Sequence, residues 1–186
     1  MNKRGAQAES QVTRADYFSV IFRAEHREVR DLILDLVQAY QKNETSRIPT
    51  LLGELARCAG PHFRYEEEVL YPQLVKFFGP QYVHDLYHAH DRAIATAKEL
   101  VAMADKSTLT PEEAEFGIRG VRAMLPHVTD CDGLSILVER MPEPEVRKIL
   151  AAREKARNAG LDLLTWAAEV RRPHLTSDRN AKAPAA

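Results

Sequence analysis

The chain is poor in cysteine, in net charge and in long apolar runs, and each shortage excludes something. Two cysteines in 186 residues cannot form the disulfide framework on which small secreted domains depend. A formal net charge of −1, with Arg and Lys interspersed among Glu and Asp, removes the electrostatic basis for binding nucleic acid or an anionic membrane. No apolar stretch approaches the ~20 residues of a spanning helix. The opening MNKRGAQAESQVTRAD holds no apolar signal-peptide core. The expected setting is therefore cytoplasmic, with neither nucleic acid nor membrane as partner. Strand patterns are nearly absent as well. With 45% hydrophobic residues, the chain can bury one ordinary core unaided.

What the chain does have is helical periodicity divided by breakers. The expected helices run from about Asp16 to Gln41, from Pro49 to just before Gly79-Pro80, from Gln81 to Ala104, from the loop DKSTLTPEE to about Arg140, and from Glu145 to Arg171. Residues 16–171 thus read as one all-α domain, with residues 1–15 and 172–186 as disordered ends.

Four of the seven histidines fall on the apolar stripes of these helices. Phe22, His26, Val29, Ile33, Leu36 and Tyr40 recur at steps of three and four, which defines one inward face. The second helix repeats the pattern with Leu51, Leu55, Cys58, His62, Glu66 and Val69. The third does so with Val83, Tyr87, His90, Ile94 and Val101, and the fourth with Gly117, Gly120, Met124, His127, Cys131 and Leu134. Imidazoles from four helices aimed at one core suggest a metal site. Glu66, a carboxylate one turn after His62 on the buried side, is costly there unless something pairs with it.

The remaining histidines read differently. His84 and His88 form an i,i+4 pair, but they share a polar face with Asp91 and Lys98, and His90 points roughly 120–160° away from both. His174 lies in the polar tail. Cys58 and Cys131 are placed about two helical turns apart along parallel helices, roughly 11 Å, so a disulfide between them is not expected.

A faint duplication supports the choice of His90. His26 precedes His62 by almost the same interval as His90 precedes His127, and the second histidine of each half follows a proline, Pro61 and Pro126. Two similar hairpins would bring all four rings to one level. Both prolines fall within helical patterns, where a bend is expected just before the histidine.

These residues resemble the hemerythrin-like, or HHE cation-binding, family. HFRYEEEVLYPQL is the most specific stretch, AEHREVRDLILDL resembles a first ligand helix, and His127 with Asp132 reproduces a histidine plus carboxylate at i+5. The resemblance covers roughly residues 16–140. It implies an up-down-up-down four-helix bundle, here with a fifth C-terminal helix, around a non-haem di-iron centre with an oxo or hydroxo bridge. It also implies His26, His62, His90 and His127 as terminal ligands, with Glu66 and Asp132 bridging two iron ions.

Two positions depart from that pattern. Oxygen-carrying relatives have two histidines four apart on the third helix, whereas Leu86 stands four before His90. One iron would then lack a nitrogen ligand, which favours reaction with peroxide, dioxygen or nitric oxide over reversible carriage. A competing register takes His84 and His88 as the pair instead. Cys131 occupies the i+4 position after His127, and Asp130 the i+3 position, so both compete with Asp132. A thiolate at Cys131 would bring zinc into contention, whereas free buried cysteine ordinarily behaves as a small hydrophobe. Tyr65, Tyr87 and Glu67 are candidates for supporting contacts.

The reading is therefore a di-iron protein that binds or reacts with a small diatomic or peroxide, in sensing, scavenging or detoxification. The alternatives are a di-iron oxidase acting on an organic substrate and a non-enzymatic iron-storage or iron-sensing module. The oxidase reading calls for a cavity at the metal, with Gly117, Gly120 and Ala123 as the small residues that would line it.

Overall fold

The computed structural model describes residues 12–172, so His174 and most of the two ends expected to be disordered lie outside the described residues. The chain begins its first helix, α1 (Arg14–Gln41), two residues earlier than the periodicity indicates. Thr13 and Asp16 form a reciprocal capping box there, satisfying two amides that the first turn leaves unpaired.

α2 (Ile48–Tyr65) passes into a π-helical turn at Glu66–Leu70 and then into α3 (Tyr71–Met103), whose path breaks at Gly79. Gly79 has φ 79° and ψ 170°, which only glycine adopts readily, and Pro80 cannot supply the amide that would continue the ladder. The break between helices expected at Gly79-Pro80 is therefore present as a kink at Gly79.

The single helix expected up to Arg140 is instead three pieces, α4 (Pro111–Arg122), α5 (Leu125–Asp132) and α6 (Ser135–Val138). Pro126 does not bend a continuous helix. It sits in the first turn of α5, where its missing N–H costs nothing. The expected fifth helix is also two, α7 (Glu143–Ala159) and α8 (Leu163–Glu169). Gly160 ends α7 in the left-handed region at φ 62°, and the Asp162 carboxylate accepts from the amides of Leu164 and Thr165 to start α8.

The architecture is a bundle in which α1 packs on α2 and on the α4–α6 run, while α7 and α8 lie against α2. Gly60 makes the last contact possible. A Cβ at that position would stand 2.4 Å from the carbonyl oxygen of Leu161 and 2.6 Å from the nitrogen of Leu163. Among the described residues, three apolar clusters fill the core, two of them fed by α1. One gathers Phe18, Phe22, Leu70, Tyr71 and Leu134, and the other Ile33, Leu36, Tyr40, Leu51 and Leu100. His26 lies on α1 between the residues that feed these two clusters. Among the described residues, no helix is long and apolar enough to cross a membrane.

Candidate metal centre

Helical phase brings His26, His62 and His90 into the interior, where all three are buried, while His127 is half-buried. Two groups of donor atoms result, each lying within 4.8 Å of one another: His26, His62 and Glu66, and Glu66, His90 and His127. One fully buried carboxylate therefore belongs to both groups.

The π turn explains how Glu66 and its neighbour share the interior. Tyr65, Glu66 and Glu67 are consecutive and all buried, as are Leu70 and Tyr71. A regular α-helix turns 100° per residue and would carry part of such a run outward, whereas a π turn widens the inward face. The single stripe read from the sequence did not contain this feature.

Each of three histidines is oriented through Nδ1, leaving Nε2 for the centre. His26 Nδ1–H donates to the carbonyl of Phe22 at 2.9 Å. His62 Nδ1–H donates to Glu25 at 2.9 Å, and His90 Nδ1–H to Glu67 at 2.9 Å. Metal-binding histidines are commonly fixed by such partners, which set the tautomer and raise ligand basicity. His127 is held differently: its ring nitrogens lie 3.6 and 3.7 Å from Sγ of Cys131, with no oxygen acceptor in reach among the described residues.

The two orienting carboxylates are gripped from the C-terminal helices. Arg153 of α7 stands 2.6 Å from Glu25, with Arg157 at 3.3 Å. Arg171, just past α8, reaches both oxygens of Glu67 at 2.8 and 2.9 Å. Glu25 and the three arginines escaped the sequence reading, since nothing in the text pairs positions so far apart. Tyr71 escaped it too. Its hydroxyl is 3.2 Å from Glu66, 3.0 Å from Nε2 of His90 and 3.5 Å from Sγ of Cys131.

Of the two tyrosines that were singled out, Tyr65 donates to Glu25 at 2.8 Å and touches Nδ1 of His62, and Tyr87 donates to the Glu67 carbonyl. Tyr65 thus braces the Glu25 carboxylate, and Tyr87 holds the backbone of Glu67.

Charge is unevenly placed. Burial pulls His62 down, but Glu66 and Glu25 outweigh it and raise the ring to about 10. Burial, aided by the charge of His62, lowers His26 to about 4. Burial with the charge of His90 takes His127 to about 3. Glu25 is penalised by burial, yet His62 and Arg153 hold it down at about 2. Near neutral pH, His26 and His127 are thus already in the lone-pair form a metal requires, while His62 must release a proton to bind one.

The residues fit a metal by a further observation. Oε1 of Glu66 is buried without a hydrogen bond, although Nε2 of His62 lies 3.3 Å away in poor alignment, and Oδ1 of Asp132 is likewise buried and unpartnered. Buried carboxylate oxygens without donors are rare because they cost stability, and a cation would satisfy both. Asp132 is half-buried, and its charge acts on His26. It does not join either compact donor group.

The competing candidates fall elsewhere. His84 and His88 are more than a third exposed and contact each other at 3.0 Å, on the outer side of α3, so the register built on that pair does not reach the centre. Asp130 is exposed. Cys131 is fully buried, and burial together with Glu66 pushes its thiol well above the ordinary range. It therefore sits at the centre as a neutral thiol. Cys58 is not fully buried and is a free thiol, as Cys131 is.

Beside the centre lies a cavity of about 550 Å³, bounded by α3 on one side and by α4 and α5 on the other. His127 and Phe63 line it, and Phe63 stacks on His90 with ring centroids 3.5 Å apart. Gly120 and Ala123 also line it. Gly117, grouped with them on sequence grounds, packs against the ring of Tyr40 instead.

Residues 18–130 match the family model described as hemerythrin HHE cation binding domain. Neither the curated proteins nor the solved structures give a significant match. The matched span includes all four histidines and Glu66, and it ends before Cys131, Asp132 and the helices that carry Arg153 and Arg171. That span is well over half of the chain, and the chain belongs to the hemerythrin HHE cation-binding domain family.

Proposed function

We propose that this protein holds two iron ions between His26, His62, His90 and His127, with Glu66 shared and Asp132 serving the His26 side. The centre would bind or react with a small oxidant or diatomic, namely dioxygen, peroxide or nitric oxide, in sensing, scavenging or detoxification. The observation that carries this reading is the sharing of Glu66 by two His-His groups. The His90 and His127 group has three protein donors, and an ion held by three donors has room for an exogenous ligand. Iron, when bound, would supply a redox-active Lewis acid at that position.

The chain's own residues do the rest. Glu25 and Glu67 keep the Nδ1 protons of His62 and His90 turned away from the centre. Tyr71 holds a hydroxyl proton against Glu66 and His90, where it can donate to a small polar ligand. Phe22, Phe63 and Leu86 exclude bulk water.

The test is iron and zinc per chain after expression in iron-supplemented medium, in the wild type and in His62→Ala and His127→Ala. The expected result is close to two irons, diminished in each variant, with a visible band that responds to peroxide, dioxygen or nitric oxide. A single zinc would overturn the proposal and move Cys131 into the coordination sphere.

A further inference from the structure

The cavity beside His127 is far larger than a diatomic or a peroxide requires. Sites for organic small molecules run from about 300 to 1,000 Å³, and about 550 Å³ falls inside that range. Protein interiors otherwise pack to crystal-like density, and apolar walls facing a void forfeit their contacts. A dry apolar cavity takes up apolar guests.

Its wall is apolar where it is buried. Leu55, Ala59, Phe63, Leu86, Leu100 and Val128 form the deep part. Small side chains make the room, with Ala89, Ala93 and Ala97 on α3 and Ala123 at the end of α4 among the lining residues, while Gly120 lies close against Thr96 of α3. Charges occur only toward the outside, on Asp85, Arg92, Glu99 and Asp130, all of them exposed. Without a metal, a charged group carried inward would lose its water and meet no opposite charge.

The cavity is also one-sided. His127 lines it, whereas His26, His62 and Glu66 do not. It therefore approaches the centre from the His90 and His127 half. Among the described residues, His127 is also the one ring of the four with no oxygen acceptor to hold it.

We propose that this cavity binds an uncharged apolar organic molecule, aliphatic or aromatic and of roughly ten to twenty non-hydrogen atoms, seated against His127. The occupied cavity would place the apolar guest beside the half of the centre that has room for an exogenous ligand. The guest's position relative to a metal rests on the function proposed above; the cavity and its selectivity do not.

The full chain, metal-free and iron-loaded, is titrated with 1-decanol, decanoate and decylamine by calorimetry. The expected result is one 1-decanol per chain in both forms, with a negative heat-capacity change, and at least tenfold weaker binding of the two charged probes to the metal-free chain. Ala93→Phe fills the deep part and Ala123→Trp blocks the exposed rim, and each should weaken 1-decanol binding at least tenfold. The rim variant touches an exposed residue, so it remains informative if the core variant fails to fold. In the iron-loaded protein, 1-decanol should shift the visible band.

Absence of 1-decanol binding, or binding undiminished in Ala123→Trp, overturns the site. Tighter binding of decanoate or decylamine to the metal-free chain overturns the uncharged class. Binding to the iron-loaded protein with no spectral shift overturns the placement against the centre. Failure of the chain to hold iron would overturn the metal reading alone, since the metal-free titration still reads the cavity.

Discussion

Glu67 accepts the Nδ1 proton of His90 at 2.9 Å, and Arg171 closes on both oxygens of the same carboxylate from beyond α8. Glu25 stands in the same relation to His62 and Arg153. Each half of the centre thus has a histidine, a carboxylate behind it and an arginine behind that.

Because the arginines keep the carboxylates charged and fixed, Arg153→Ala and Arg171→Ala should each weaken metal retention by about tenfold. Competition with a chelator would measure this. Each variant should lose one ion before the other, so chelation becomes biphasic. Lysine variants should recover only part of the loss, because a point charge does not reproduce the two-pronged grip. If both ions instead leave together, and the metal-free melting temperature falls in step, the arginines serve only to anchor the C-terminal helices.

Gly60→Ala should separate those helices from the bundle without touching a candidate ligand. The added Cβ would meet backbone atoms of Leu161, Asp162 and Leu163 at 2.4 to 2.6 Å, and backbone cannot step aside as a flexible side chain can. Overpacking of this kind costs about 1–3 kcal/mol. The expected outcome is a lower melting temperature with earlier hydrogen exchange at Trp166, which is buried where α8 meets α2. An unchanged melting temperature would show that α8 rides loosely on the bundle.

The four histidines could be found from the text because each lies mid-stripe on its own helix, and a facing direction is a local property of a periodic segment. Glu66 was visible for the same reason. Glu25 was not, since it precedes His26 on α1 and reads as the edge of a solvated face until Arg153, from a distant helix, is seen to neutralise it. Tyr71, unlike Tyr65 and Tyr87, gave no signal because its position depends on the π turn at Glu66–Leu70, which shifts every later side chain around the helix. The break of the fourth helix into α4, α5 and α6 was missed through treating Pro126 as an interior residue rather than a start signal.

The metal-free protein should be most stable near pH 6.5, with losses on both sides. His26 and His127 have folded pKa values lowered to about 4 and about 3. The unfolded chain therefore takes up their protons first as pH falls below about 6.5, and stability drops through that window. Glu25, depressed to about 2, adds a loss as pH falls from its unfolded value toward 2. His62 works the other way: raised to about 10, it contributes fully below about 6.5 and its contribution is lost as pH rises toward 10. Denaturant midpoints measured from pH 3 to 10 would check this; in His62→Gln the decline from about pH 6.5 to about 8.5 should disappear, while the acid decline and the loss above about 8.5 from the raised Cys58 and Cys131 thiols persist.

Tyr71→Phe separates two roles that its hydroxyl can play. In the metal-free chain the hydroxyl proton serves Glu66 at 3.2 Å or His90 at 3.0 Å, but it cannot serve both at once. Its removal leaves a fully buried carboxylate short of a donor, which costs about 1–3 kcal/mol. A bound cation would satisfy Glu66 and His90 directly, so the same removal costs the loaded protein less. The variant should therefore melt lower without metal and show a larger rise in melting temperature on adding iron than the wild type shows. Both quantities come from paired thermal scans. If the rise shrinks and iron is lost to a chelator more readily, the Tyr71 oxygen is itself part of what holds the ion, and the His90 and His127 half has four protein donors rather than three.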